Sequence, residues 1–243
     1  PARALAHARA LHADGAHIVD VGGESPRPGA EPVSEAEELE RVLPIVESLA
    51  NEGAIVSIDT TKPAVMRAAI SAGASMVNDV RALQEPGALE AASRHEVAVC
   101  LMHMQGAPRT MQANPVYVDV VTEVREFLKE RVRICEANGI AVERIAIDPG
   151  IGFGKRVEHN LQLVSAIPEL TRLQRPVLIG VSRKSMFATM LGKKVDERLS
   201  GSIAMATAAA LAGASILRVH DVAETIDAIK IATALKQTNY RIL

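Results

Sequence analysis

The sequence of 243 residues lacks tryptophan, and aromatic residues of all kinds make up only 2% of it. Proteins that bind single-stranded nucleic acids stack bases on aromatic side chains, so the composition disfavours that class. Charge of one sign is also lacking, because 27 basic residues face 29 acidic ones for a net charge of −2. Such a balance supplies no field that would hold a polyanion, and we expect no nucleic acid partner.

Cysteine is scarce, and long hydrophobic runs are missing. Cys100 and Cys135 lie far apart and fit neither a zinc site nor a redox motif, so we expect two buried, reduced thiols in a cytoplasmic protein. No apolar stretch reaches the roughly 20 residues that span a bilayer, and no secretory signal opens the sequence. We therefore expect no membrane partner.

What the sequence does contain is a series of short apolar runs rich in Val and Ile, separated by longer helix-like segments. Continuous apolar character is typical of parallel strands that are buried on both faces. The predicted strands are 17–21, 55–58, 75–77, 97–102, 144–147, 177–181 and 215–219.

Seven strands alternating with helices are one short of a (β/α)8 barrel, which is the α/β fold that we expect. The sequence opens within a helical pattern and without an initiator Met. We therefore expect the first strand and the first βα loop of the barrel to precede Pro1, and residues 1–243 to form one incomplete barrel domain. A doubly wound open sheet is the alternative, because counting strands does not show closure.

Polar residues follow the predicted strands, at the edge where both folds place their active sites. Asp59 and Asn78 directly follow strands and have other capping candidates nearby, and Arg218 and His220 lie on alternate positions that face one way. We expect these four side chains to contact a ligand. Three further residues are expected to cap helices instead: Thr61, Asp79 and Asp221.

The segment 148–155 reads Asp-Pro-Gly-Ile-Gly-Phe-Gly-Lys, which fits neither a dinucleotide-binding nor a Walker A pattern. Its glycines would bring the backbone close to a flat ligand while Asp148 faces inward. A fixed carboxylate pairs well with adjacent ring N–H and amino donors. Cationic residues after the late strands would bind an anionic end: Lys184, Arg218 and His220. The pattern predicts a polar heterocycle that carries a phosphate-like tail.

Eight stretches, running nearly from end to end, resemble the dihydropteroate synthase family in order and in spacing. They are DVGGESPRPGA at 20–30, SIDT at 57–60, VND at 77–79, LMHMQG at 101–106, DPGIGFGK at 148–155, SRKS at 182–185, RLSGS at 198–202 and RVHD at 218–221. The resemblance implies a TIM barrel that joins 6-hydroxymethyl-7,8-dihydropterin diphosphate to p-aminobenzoate, releases diphosphate and is inhibited by sulfonamides. It also implies Mg²⁺ as cofactor and a homodimer, for which the stretches 202–212 and 222–236 are candidate interfaces.

The family motifs assign roles to individual positions. The resemblance implies that Asp59, Asn78, Asp148 and Lys184 bind the pterin. Arg218 and His220, with the backbone near Pro26, would bind the diphosphate. The p-aminobenzoate and sulfonamide pocket would comprise Arg27, Pro28, Phe153, Lys184 and Ser185. Lys184, Arg218 and His220 would stabilise the pterin and the leaving group, and we assign no obligatory general base, since an aryl amine is already nucleophilic.

Two departures from the family pattern bear on activity. The Asn that binds Mg²⁺ or diphosphate in the family is expected upstream of Pro1, so we expect no metal ligand within this chain. Pro26 stands where the family has Thr, which removes an N–H and a hydroxyl from this loop. Two alternatives follow: a pterin-binding module without synthase activity, and a barrel like the methyltetrahydrofolate–corrinoid methyltransferases. The stretches SRKS at 182–185 and RVH at 218–220 favour the synthase over the methyltransferase, because a methyl donor has no diphosphate to hold.

Overall fold

The computed structural model describes residues 2–25, 31–107 and 110–238. All seven predicted strands are present, with ends that shift by at most two residues: β1 Ile18–Gly22, β2 Ile55–Asp59, β3 Met76–Asp79, β4 Ala98–Met102, β5 Ile145–Asp148, β6 Leu178–Ile179 and β7 Ile216–Leu217. The α-helices are α1 Ala2–Ala13, α2 Glu35–Asn51, α3 Pro63–Ser71, α4 Ala88–Ser93, α5 Val120–Ala137, α6 Val157–Ser165, α7 Ile167–Thr171, α8 Met186–Leu191, α9 Leu199–Ala212 and α10 Val222–Gln237.

The strands follow one another in space in the order of the sequence. β1 to β5 form a parallel sheet, β6 and β7 form a second parallel pair, and a bridge between Ile147 and Val177 joins the two. A doubly wound sheet reverses its strand order at a switch point, so the sequential order excludes that alternative. Arg218, directly after β7, contacts Asp20 on β1, 198 residues away. The first and last strands therefore face each other, as the staves of a barrel do.

Successive residues of each strand alternate between two environments. The outward-facing side chains, such as Val56, Ile58 and Ile147, are fully buried in the large core between strands and helices. The inward-facing side chains form a much smaller apolar cluster inside the barrel: Met76, Cys100, Ala146 and Leu178. Period-two alternation thus assigns one face of each strand to packing, and leaves the upper positions of the other face to polar groups.

The residues predicted to cap helices take different positions in the structure. Thr61 was expected to cap α3, but Lys62 occupies that position, and Thr60 accepts the backbone N–H of Lys62 instead. Asp221 does precede α10, yet its carboxylate makes no cap and pairs with Arg183, because the guanidinium of that residue lies within reach across the two loops.

Asp79 caps no helix. It accepts the N–H groups of Arg81 and Leu83, both at 2.8 Å, and so holds a turn within the β3–α4 loop. This turn includes Ala82 and Leu83 in the left-handed region, with φ of 52° and 56°. Burial raises the pKa of Asp79 to about 6, and the two backbone N–H groups oppose that rise. Asp79 therefore stabilises the loop that follows Asn78.

Candidate active site

Carboxylate and amide side chains converge at the carboxyl ends of β2, β3 and β5. Asp59 ends β2 and lies beside Asn78 of β3 in the parallel register. Asp148 ends β5, and both Asn78 and Asp148 are only 6% exposed. The structure therefore places the residues expected to bind a heterocycle on one inward-facing polar surface, which we call the barrel mouth.

Arg218 joins this group from the opposite side of the barrel. Its Nη2 donates to Asp59 Oδ2 at 3.0 Å, and its Nε donates to Asp20 Oδ2 at 2.6 Å. The negative charge of Asp20 and, to a smaller degree, that of Asp59 raise the pKa of Arg218, so the guanidinium stays charged. Five N–H groups are available on a guanidinium, and two are used in these contacts. Its remaining donors can bind an anion without breaking either ion pair.

Two of the carboxyl groups at the barrel mouth have raised pKa values. Burial and, to a smaller degree, the charge of Asp20 raise the pKa of Asp59 to about 7, against the opposing effect of Arg218. Burial also raises the pKa of Asp148, while the N–H of Gly150, which donates to its Oδ1 at 2.7 Å, opposes the rise. Asp59 is therefore close to balance between its neutral and ionised forms at physiological pH.

The segment 149–155 forms a turn that packs directly on the loop after β4. Gly150 and Gly154 have φ of 69° and 61°, and a Cβ at either position would lie 1.9 Å and 2.3 Å from the carbonyl oxygens of His103 and Gln105. Only glycine fits at these two positions, for reasons of both conformation and space. The glycines were expected to bring this backbone close to a flat ligand. At these two positions the close approach that the structure shows is to the protein backbone after β4.

Lys155 lies beneath this turn and is 3% exposed. Its Nζ contacts His103 Nδ1 at 3.0 Å, the His103 carbonyl at 3.3 Å and the Phe153 carbonyl at 3.0 Å. Burial lowers the pKa of Lys155 to about 7, and burial lowers that of His103 to about 3. Three acceptors match the three N–H groups of an ammonium and favour the charged form. Lys155 thus ties the glycine turn to β4.

Lys184 extends along the glycine turn towards the barrel mouth. Its Nζ lies 4.2 Å from the centre of the Phe153 ring, a cation–π distance, and its side chain packs over Gly152. Lys184 is also close enough for its charge to lower the pKa of Asp148, against the effect of burial. The structure therefore unites Phe153 and Lys184, which were expected to share a pocket.

Ser185 immediately precedes α8 and lines a cavity of about 380 Å³. Gly152, Lys155 and Arg156 line the same cavity. Three other residues of the expected pocket or diphosphate loop, Pro26, Arg27 and Pro28, lie outside the described residues.

His220 is held by the loop that follows β6. Ser182 Oγ accepts the backbone N–H of His220 at 3.2 Å and lies 2.9 Å from its Nδ1. The neighbouring Arg183 pairs with Asp221, so two contacts connect the loops that carry Lys184 and His220. These contacts hold together the two loops that carry expected anion-binding residues.

Sequence reasoning did not single out Asp20, Lys155 or His103 as site residues. Asp20 lies within an apolar strand. Its register partner is Ser57, which lies two residues before Asp59 and so faces the same way into the barrel. This alternation was the signal that could have identified Asp20. For the burial of Lys155 the sequence carries no signal. Among the described residues, no group of three or more His, Cys, Asp or Glu side chains could hold a metal ion. Nor is any helix of the described chain long and apolar enough to cross a membrane.

Comparisons with known proteins agree with this geometry. A family model described as pterin binding enzyme matches residues 1–220. A dihydropteroate synthase of Escherichia coli (strain K12) is 50% identical over 232 residues, which cover 95% of this chain and 82% of that protein.

Solved structures give the same result. The crystal structure of Yersinia pestis dihydropteroate synthase in complex with a sulfonamide drug superposes with a TM-score of 0.95 at 48% identity, covering 97% of this chain and 86% of the other. Xanthomonas albilineans dihydropteroate synthase with 4-aminobenzoic acid gives 0.92 at 47% identity, covering 97% and 85%. These neighbours confirm the (β/α)8 barrel. The chain belongs to the dihydropteroate synthase family of pterin-binding transferases, which act in folate biosynthesis.

Proposed function

We propose that the barrel mouth is where 6-hydroxymethyl-7,8-dihydropterin diphosphate condenses with p-aminobenzoate. The observation that carries this assignment is the convergence of Asp59, Asn78 and Asp148 with a guanidinium that keeps free donors. Ionised carboxylates accept ring N–H and amino donors, and a charged Arg binds phosphate oxygens. A heterocycle with an anionic tail satisfies both halves of this surface at once.

Asp59, Asn78 and Asp148 would hold the pterin ring in this arrangement. Because burial raises the pKa of both carboxyl groups, each gains most from a ligand that donates hydrogen bonds to its ionised form. Lys184 would contact the ring from the side of the glycine turn. The ring carboxylates would also favour the positive charge that develops on the pterin as the leaving group departs.

Arg218 and His220 would hold the diphosphate. In the reaction the amine nitrogen of p-aminobenzoate forms a bond to the pterin methylene carbon, the carbon–oxygen bond to diphosphate breaks, and the amine loses one proton. Charge accumulates on the departing diphosphate, so cationic groups at that end stabilise the transition state. We assign no obligatory general base.

The acceptor would bind between the glycine turn and the loop after β6. Phe153 offers an aromatic face, Lys184 offers a charge for a carboxylate, and Ser185 lines the adjacent cavity. Arg27 and Pro28 complete the pocket in this proposal. Sulfonamides, which resemble p-aminobenzoate in size and polarity, would compete for the same space.

Mg²⁺ does not fit a protein cage here. Since the part of the chain that the structure describes offers no cluster of three or more ligands, we propose that Mg²⁺ enters on the diphosphate oxygens as part of the substrate. The two buried thiols, Cys100 and Cys135, support a cytoplasmic location.

A homodimer is supported by apolar side chains exposed on α8, on α10 and on the stretch from α8 to the start of α9. Leu191 is 48% exposed and Ile231 is 65% exposed. Further exposed apolar residues are Met190, Val195, Leu199 and Leu235. A surface of this kind is typical of an interface between subunits.

The proposal is tested by incubating the chain with the dihydropterin diphosphate, p-aminobenzoate and Mg²⁺ and following dihydropteroate. Turnover supports it, whereas pterin binding without turnover leaves the binding-module alternative.

A second arm uses Arg218→Ala, with Arg133→Ala on the exposed face of α5 as the charge-matched control. At about pH 8.5, where Asp59 is ionised, we expect Arg218→Ala to weaken the diphosphate ligand about a hundred-fold, and free pterin far less. Equal losses would refute the anion site.

A further inference from the structure

Asp20 connects the two halves of the barrel mouth through a single oxygen atom. Its Oδ2 accepts from Arg218 Nε at 2.6 Å and from Asn78 Nδ2 at 3.2 Å. Arg218 belongs to the proposed diphosphate site and Asn78 to the proposed pterin site. The backbone of Asp20 lies deeper in the barrel than that of Asp59, because its partner in the register is Ser57.

The contact between Asp20 and Asn78 fixes which way the amide points. An ionised carboxylate only accepts hydrogen bonds, so the amide must turn its NH₂ group towards Asp20. Its Oδ1, which the contact with Asp20 does not use, then faces away from that carboxylate and is the group offered to a donor. An amino group or ring N–H of a bound heterocycle is a donor of the required kind. Without Asp20, the amide could flip and offer the wrong group.

Only one of the two carboxylate oxygens of Asp20 has hydrogen-bond partners in the described part of the chain. Its second oxygen, Oδ1, is buried and has no hydrogen-bond partner among the described residues, and the same holds for Ser57 Oγ beside it. A buried acceptor without a donor costs free energy, and exceptions to satisfied burial concentrate at functional sites. This cost indicates that the carboxylate is kept for what it does to its neighbours.

We propose that Asp20 is a positioning residue that orients the Asn78 amide towards the pterin and holds the Arg218 guanidinium against the mouth for the diphosphate. The inference rests on the proposed function of the mouth and extends it to a group that does not itself touch substrate. Asp20 therefore acts on both parts of one substrate.

Replacing Asp20 should also change the pKa of Asp59. The charged groups that act on its carboxylate are Asp20 on β1, Arg218 after β7, Asp79 on β3 and Glu38 on α2. Replacing Asp20 by a neutral isostere removes one negative charge and leaves Arg218 to pair with Asp59 alone. Both changes lower the pKa of Asp59. The acid side of the pH profile for pterin binding should then move to lower pH.

The experiment uses the full chain with Asp20→Asn, Asp20→Ala and, as matched control, Ser57→Ala. The control removes the neighbouring buried, unpartnered hydroxyl and leaves the contacts of Arg218 and Asn78 intact. Binding of 6-hydroxymethyl-7,8-dihydropterin, with and without its diphosphate, is measured by calorimetry between about pH 5.5 and about pH 8.5, a range that brackets the pKa of Asp59. Turnover gives kcat and the KM of each substrate, and far-UV circular dichroism checks folding.

We expect Asp20→Asn to weaken both pterin ligands about ten-fold and Asp20→Ala about a hundred-fold, with kcat reduced and the KM for p-aminobenzoate unchanged. In Asp20→Asn the acid side of the binding profile moves to lower pH. If Asp20→Asn folds and matches Ser57→Ala in affinity, kcat and pH profile, the positioning role is wrong. If the unaltered chain binds neither pterin, the proposed function itself fails, and this outcome is separate from the first.

Discussion

Acidification should destabilise this protein through His103. The ring is 7% exposed, packs edge-on against Phe127 with centroids 4.9 Å apart, and accepts from Lys155. Protonation would place a second positive charge against that amine at a buried position. Burial is the main cause of the lowered pKa of about 3, against an ordinary value of 6.5.

The sign follows from comparing the two states. As pH falls through 6.5, the unfolded chain takes up a proton at this imidazole, and the folded chain does not until about pH 3. Between these values the unfolded state binds more protons, so His103 makes folding less favourable as pH falls. From about pH 7.5 to about pH 4.5 the loss is about 2.5 kcal/mol.

The effect must be separated from those of other buried groups. The pKa of Lys155 is lowered to about 7 in the folded state, so the unfolded chain binds more protons there too, and this residue adds to the loss as pH falls through that value. Two carboxyl groups act in the opposite direction. The pKa values of Asp59 and Asp79 are raised to about 7 and about 6, so these residues favour the folded state as pH falls. We therefore compare the chain with His103→Asn, in which the amide oxygen can accept from Lys155 near the position of Nδ1 but does not titrate. His7→Asn, on the exposed face of α1, controls for removing a histidine.

Urea unfolding followed by far-UV circular dichroism suits a chain without tryptophan. The free energy of unfolding of the unaltered chain minus that of His103→Asn should fall by about 2.5 kcal/mol between about pH 7.5 and about pH 4.5. His7→Asn should run parallel to the unaltered chain. Parallel curves for His103→Asn would refute the argument that burial keeps this imidazole neutral.

Two further predictions concern glycine and cysteine. Gly150→Ala should destabilise the chain by about 2 kcal/mol more than Gly192→Ala, since both residues have φ near 68° but only the Cβ at Gly150 would meet a carbonyl oxygen. Equal urea midpoints for the two variants would show that the turn accommodates the added methyl group without strain. Cys100 and Cys135 are buried and burial raises the pKa of both thiols, so neither should react with a thiolate-specific disulfide reagent until urea unfolds the chain. Rapid reaction of the native protein would contradict the burial.

The strands were predictable because each is an apolar run bounded by a helix signal. Parity along β7 predicted that Arg218 and His220 face one way, and the place of Asp59 at the end of its strand predicted that it contacts a ligand. The structure brings Arg218 and Asp59 together at the mouth. Such inferences need only local periodicity. The barrel then brings the carboxyl ends of its strands together without further information.

The contacts across the barrel were not predictable in this way. Asp20 and Arg218 are 198 residues apart, and no local pattern states that they share a hydrogen bond. The capping role expected of Asp221 failed for the same reason, because a nearby guanidinium competes with the backbone for its carboxylate. Similarly, the burial of Lys155 depends on three acceptors that come from two different loops.

The alternation of outward and inward residues also protects the chain against misfolding. If β2 slipped by one residue against its neighbours, Asp59 would turn into the apolar layer beneath the helices, and Ile58 would turn into the mouth. Burying an unpaired carboxylate in that layer costs several kcal/mol, so a slipped pairing is disfavoured as it forms. The acidic groups that would recognise a pterin therefore also favour the correct strand register during assembly of the barrel.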